Sequence, residues 1–195
     1  MKALNTGLFI ILLVGGVWGV WYLQTSLPVL KTIEPFQLTS ALTGERYTSD
    51  NDRIKVVAFF YTACPDVCPF TMRDLKEVYG ELEAEGVFED KVEFISITLD
   101  PEADTSKRIE RYAGSFDADV LSWRWLRGTE EETLEIAKQF QMQRVKLADQ
   151  TIAHSTTLYL VDDRHQIRGT YAMATYQDRV NREELMRDVL LLVEK

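Results

Sequence analysis

An unbroken run of uncharged residues from Gly7 to Leu23, GLFIILLVGGVWGVWYL, follows Lys2. At 1.5 Å per residue it makes roughly 26 Å of helix, near the hydrocarbon thickness once Leu4 and Leu27 extend it. The run predicts one N-terminal transmembrane helix, read as an uncleaved anchor. No A-x-A-like site follows it, although Val14-Gly15-Gly16 offers a weaker small-residue signal for cleavage. Trp18, Trp21 and Tyr22 gather at its far end, where amphipathic rings favour the headgroups, and Lys2 with the amino terminus keeps the near end cytoplasmic. The rest of the chain is therefore expected outside the cytoplasm, in a periplasm or its equivalent. No Cys follows the run within signal-like distance, so a lipid-anchored Cys is not an alternative tether. The pattern divides the chain into an anchor over 1–27, a short linker over 28–35 and one domain over 36–195.

Within the domain, Phe36 to Thr48 predicts a hairpin around Leu42-Thr43-Gly44. Ile54 to Tyr61 (IKVVAFFY) is nearly all apolar and β-rich, which predicts a central strand buried on both faces. Pro69 lacks an N–H and disfavours helical geometry at Cys68, so the next helix is expected to begin at Pro69. Met72, Leu75, Val78, Tyr79 and Leu82 give it an apolar face, and Gly86 is its expected end. A second strand is predicted from Val92 to Leu99, then a helix through Ile109, Tyr112 and Phe116. Thr129 and Glu132 form a capping-box pattern before a helix through Leu134, Ile136, Ala137 and Phe140. Thr156 to Val161 and Gln166 to Tyr171 predict a hairpin turning at Asp162-Asp163-Arg164-His165, and Asn181 to Val193 a closing amphipathic helix. Strands alternating with helices, then a hairpin and a helix, indicate an α/β fold with a mixed central sheet flanked by helices.

Composition narrows the classes. A chain of 195 residues that is 46% hydrophobic supplies one ordinary domain and a short appendage. A net charge of −9 argues against a surface that tracks phosphates, so no nucleic-acid partner is expected.

The candidate chemistry lies in the only two cysteines, Cys64 and Cys68, at a strand-to-helix junction. A structural disulfide is one reading, but a bridge closing so short a loop constrains the unfolded chain by only about 2 kcal/mol. A helix N-terminus favours thiolate, the form that attacks disulfides or binds metal. Two close thiolates prefer Cu(I) or Zn(II), and an imidazole suits either ion. His165 lies in the polar Asp-Asp-Arg-His-Gln turn and reads as a solvated side chain, whereas His154 precedes an apolar strand at an expected sheet edge. His154 is the candidate third ligand; a hydrogen-bonded structural histidine is the alternative.

Cys64-Pro65-Asp66-Val67-Cys68-Pro69 after an apolar strand, Leu99-Asp100-Pro101-Glu102-Ala103-Asp104-Thr105, and His154-Ser155 before Thr157-Leu158-Tyr159-Leu160-Val161-Asp162 together resemble the SCO/SenC family. The similarity covers roughly Pro35 to Tyr171. It implies a thioredoxin-like fold and a copper-binding metallochaperone, carrying Cu(I), Cu(II) or both, that assists assembly of the dinuclear copper centre of cytochrome c oxidase. The implied metal ligands are Cys64, Cys68 and His154. The implied partners are cytochrome c oxidase subunit II or another copper-receiving protein, and a thiol reductant. The alternative is an extracytoplasmic thiol-disulfide oxidoreductase with Cys64 and Cys68 as its redox-active pair, reducing the oxidase's copper-site cysteines. Ala153 stands where the family often has Asp, removing a carboxylate that would orient the imidazole. Asp100 and Asp104 are read as capping the helix that follows, and neither as a ligand.

Overall fold

The computed structural model describes residues 26–88, 90–117, 123–148 and 151–194, together with Gly16. The predicted anchor over 7–23 lies outside them apart from Gly16, and among the described residues no helix is long and apolar enough to cross a membrane.

Strands β1 (Lys31–Thr32), β2 (Gln37–Ser40), β3 (Arg46–Thr48) and β4 (Ile54–Phe60) precede helix α1 (Val67–Ala84). Strand β5 (Val92–Thr98), helix α2 (Ser106–Gly114), strand β6 (Trp123–Arg127) and helix α3 (Glu130–Gln139) follow. The chain continues through β7 (Arg144–Lys146), β8 (Ile152–His154), β9 (Thr157–Val161), β10 (Gln166–Ala172) and helix α4 (Arg182–Val193). Eight strands form one sheet in the order β1-β10-β9-β4-β5-β6-β2-β3, and β7 pairs with β8 apart from it. Parallel β4 and β5 joined through α1, with the antiparallel β9–β10 hairpin beside β4 and α4 after it, make the thioredoxin-like arrangement the sequence predicts.

Every residue of β4 and β5 is buried, as the near-continuous apolar run of β4 requires, and the polar Glu93, Ser96 and Thr98 of β5 are paired with Tyr47, Trp123 and Asp104. Alternation sends successive β4 side chains to opposite faces. On one face Phe60 stacks on Tyr112 of α2 and meets Trp125 edge-on, while Met72 of α1 lies against Ser96. On the other, Phe59 packs edge-on against Phe140 and Tyr159. Burying rings of this size supplies about 2–3 kcal/mol each.

Helix ends follow local chemistry. Thr129 and Glu132 close the predicted capping box on α3. At the end of α1, Gly86 takes φ +71° and Val87 N–H returns to the Leu82 carbonyl at 3.3 Å, a conformation that costs glycine little.

Three expectations change. Helix α1 begins at Val67, not Pro69, with Asp66 as its cap. Proline is tolerated in a first helical turn because the N–H it lacks would have no intrahelical partner there. The capping role predicted for Asp104 falls to Thr105, whose hydroxyl accepts from Arg108 N–H, while Asp104 turns inward. His165 is buried, not solvated: its Nε2 bonds the Ser49 carbonyl at 3.0 Å, tying the β9–β10 turn to the start of the domain. The structure also adds β6, β7 and β8, where the sequence reading places no element.

Candidate metal and thiol site

The site stands where β4 ends. Tyr61 accepts Cys64 N–H at 3.1 Å on its backbone carbonyl, folding the Thr62-Ala63-Cys64 turn back towards the sheet. Asp66 caps Val67 N–H at 2.6 Å and starts α1, which puts Cys68 in its first turn, fully buried, four residues after Cys64. Cys68 N–H points at the Cys64 sulfur at 3.4 Å, an orphan helical donor satisfied by sulfur. Both cysteines are free thiols.

These contacts divide the two sulfurs chemically. The hydrogen bond from the Cys68 thiol lowers the Cys64 pKa to about 4, against a desolvation cost that raises it. The His154 imidazole and the Cys68 and Asp66 backbone N–H groups add to the lowering. Cys68 moves the opposite way, because it donates to Cys64, is buried, and faces the resulting negative charge. These contacts favour the charge on Cys64 and the proton on Cys68.

His154 arrives from the small sheet and not from an edge of the main one: it ends β8 and pairs in register with Arg144 of β7. Arg144 binds Glu130 at 3.0 Å and Lys146 binds Asp100 at 3.4 Å, which lays the β7–β8 hairpin across the loops beside the cysteines. The His154 Nδ1 lies 2.8 Å from the Ser155 carbonyl. A carbonyl only accepts, so Nδ1 carries hydrogen and Nε2 is the nitrogen left for the Cys64 sulfur: with a proton it donates to the thiolate, and without one it offers a lone pair to a metal. The Ser155 carbonyl thus performs the orienting role that a carboxylate at Ala153 would have had.

Two residues that sequence reasoning passed over complete the surroundings. The buried Tyr61 ring meets the His154 ring edge-on at 5.9 Å. Burial first, and then the Cys64 charge, push its phenol up to about 12, while the Ile152 backbone opposes the shift. Tyr61 therefore stands between the cysteine turn and the histidine hairpin. Asp104 is 1% exposed and accepts from Thr62 N–H at 3.1 Å, from the Thr62 hydroxyl, and from the Thr98 hydroxyl at 2.5 Å. Burial raises its pKa, and the Thr62 and Thr98 hydrogen bonds oppose the rise. It braces the loop two residues before Cys64 and leaves no oxygen for a metal.

Among the described residues no three His, Cys, Asp or Glu side chains stand close enough to hold a metal ion as arranged. The two sulfurs are adjacent, with Cys68 N–H on the Cys64 sulfur at 3.4 Å, and the His154 ring stands against Tyr61 at 5.9 Å. Two sulfurs and a neutral imidazole suit a soft cation in chemical type.

The sequence matches SCO1/SenC over residues 25–189. A human mitochondrial SCO1 homolog is 30% identical over 135 residues, 65% of this chain and 43% of its own length. The chain spans 57% and 43% of the lengths of two such curated relatives, about half. Among solved structures, Bradyrhizobium japonicum ScoI with copper bound superposes with a TM-score of 0.67 at 28% identity, covering 83% of this chain and 99% of that one. BsSco, described with a disulfide switch and as one of the Sco family of cytochrome c oxidase assembly proteins, gives a TM-score of 0.72 at 23% identity, covering 86% of this chain and 97% of its own.

Proposed function

The chain belongs to the SCO1/SenC family, and from that premise we propose that it carries copper for the dinuclear centre of cytochrome c oxidase, with Cys64, Cys68 and His154 as ligands. The proposal places a single N-terminal helix over 1–27 in the membrane and the copper-binding domain outside the cytoplasm. Cytochrome c oxidase subunit II, or another copper-receiving protein, takes the cargo, and a thiol reductant keeps the pair ready to load.

One observation carries this reading: a histidine ninety positions from Cys64 is brought beside its sulfur with Nδ1 already committed to the Ser155 carbonyl. The same imidazole also favours the Cys64 thiolate, so metal retention is what separates this reading from disulfide exchange. Copper is preferred to zinc because structural zinc normally takes four ligands and this set offers three. Loading Cu(I) onto both sulfurs displaces the Cys68 proton into solvent, whereas Cys64 enters already charged.

The test is metal analysis of the reduced protein in competition with a calibrated Cu(I) chelator. We expect one copper per chain in the wild type, about tenfold or more weaker retention in His154→Ala, and loss of retention in Cys64→Ser. Equal retention by wild type and His154→Ala would reject the imidazole as a ligand.

The asymmetric thiols also favour a second reading, a thiol-disulfide oxidoreductase in which Cys64 attacks and Cys68 resolves. Metal-free protein that exchanges rapidly with a disulfide under copper competition would promote it.

A further inference from the structure

Next to the cysteine turn lies a cleft of about 260 Å³ lined by Thr62, Arg108, Arg111, Tyr112 and Ser115. Four of these come from one face of α2 and its C-cap, because positions spaced by three, four and seven fall together on a helix. Glu110 projects to the opposite side by the same geometry.

Three features bear on what the cleft can bind. The Tyr112 hydroxyl is buried without a hydrogen-bond partner, and its ring is stacked on Phe60 at 5.7 Å, which holds it in place. Arg111 is exposed and has no carboxylate partner among the described residues, and Arg108 gives one N–H to the Ala103 carbonyl at 3.0 Å. Elsewhere Arg144, Arg168, Arg179 and Arg182 are each paired with a carboxylate. The cleft also adjoins the cysteine turn: Thr62 is two residues from Cys64, and Tyr112 stacks on Phe60, the last residue of β4.

We propose that this cleft receives the carboxylate of a small thiol or disulfide that reacts with Cys64. Two guanidinium groups offer paired N–H donors to a carboxylate. The inference rests on the two cysteines as reacting groups and not on metal binding.

The chemistry is thiol-disulfide exchange. The Cys64 thiolate attacks one sulfur of the disulfide, the S–S bond breaks, and one thiolate leaves with the electron pair. Cys68 then gives its proton to solvent, closes the Cys64–Cys68 bond and expels the second thiolate, so the protein is oxidised by two electrons and the reagent reduced by two.

The test compares two aromatic disulfides on the reduced full chain: the dicarboxylate 5,5′-dithiobis(2-nitrobenzoate) and the neutral 4,4′-dithiodipyridine. The readout is the ratio of anionic to neutral rate. We expect Arg108→Gln/Arg111→Gln to lower the ratio by about fivefold or more. Lys107→Gln, which removes a charge from the same helix outside the cleft, is expected to leave the ratio unchanged. The neutral reagent checks fold and thiols in each variant, and Arg111→Gln alone serves if the double variant fails with it. An unchanged ratio in the arginine variants, or an equal fall in Lys107→Gln, would overturn the proposal.

Discussion

At the scale of single residues, the division of labour between the sulfurs makes a direct prediction. Cys64 has its pKa lowered to about 4 by the Cys68 thiol, so its thiolate persists as pH falls and is lost only near that value. An ordinary thiol loses it near pH 8.5. Alkylation of the folded reduced protein with iodoacetamide, followed by peptide mapping, is expected to label Cys64 down to about pH 5. In Cys68→Ala the largest lowering contact is gone, and the midpoint is expected to move up by at least about one unit. Tyr61→Phe keeps the ring against His154 and removes the phenol, so it is expected to weaken Cu(I) retention several-fold while leaving the melting temperature within a few degrees. Chelator competition and thermal melts on the same samples check both halves. At this scale the two cysteines stand out by residue type at a strand-to-helix junction, whereas residue type leaves His154 open between a ligand and a structural histidine and the family resemblance singles it out. Tyr61 and Asp104 do not stand out, because their roles depend on which loops fold against Thr62 and Ile152, and those pairings are not local in sequence. The burial of His165 escaped for the same reason: its partner, the Ser49 carbonyl, belongs to a distant loop.

At the scale of elements, long apolar runs declared themselves and short ones did not. Strand β4 reads as buried because no polar residue interrupts the centre of its run, β5 reads as a strand, and α3 reads as a helix from its capping box. Thr129→Ala removes that cap and is expected to cost about 1 kcal/mol, measured by chemical denaturation. Strand β6 is five residues long with Arg124 and Arg127 in it, and only the Trp123-Arg124-Trp125 alternation announced it. Strands β7 and β8 are three residues each and owe their pairing to tertiary anchors, Arg144 on Glu130 and Lys146 on Asp100. The element that carries His154 is therefore the least visible one in the sequence. Lys146→Ala is expected to loosen the hairpin, seen as faster amide exchange at Ile152 and His154 with little change in global stability.

At the scale of the whole molecule, the first described residues are fastened and do not hang free. Arg168 reaches the carbonyls of Leu27 and Pro28, Leu30 N–H bonds the Ile167 carbonyl at 2.8 Å, and β1 pairs with β10. Through β10 and β9, that fastening lies beside the start of β4, whereas the cysteines follow its end. A seven-residue strand is roughly 20 Å long. Were the proposed anchor to end just before Leu27, the cysteine pair would open on the side of the domain turned away from its tether.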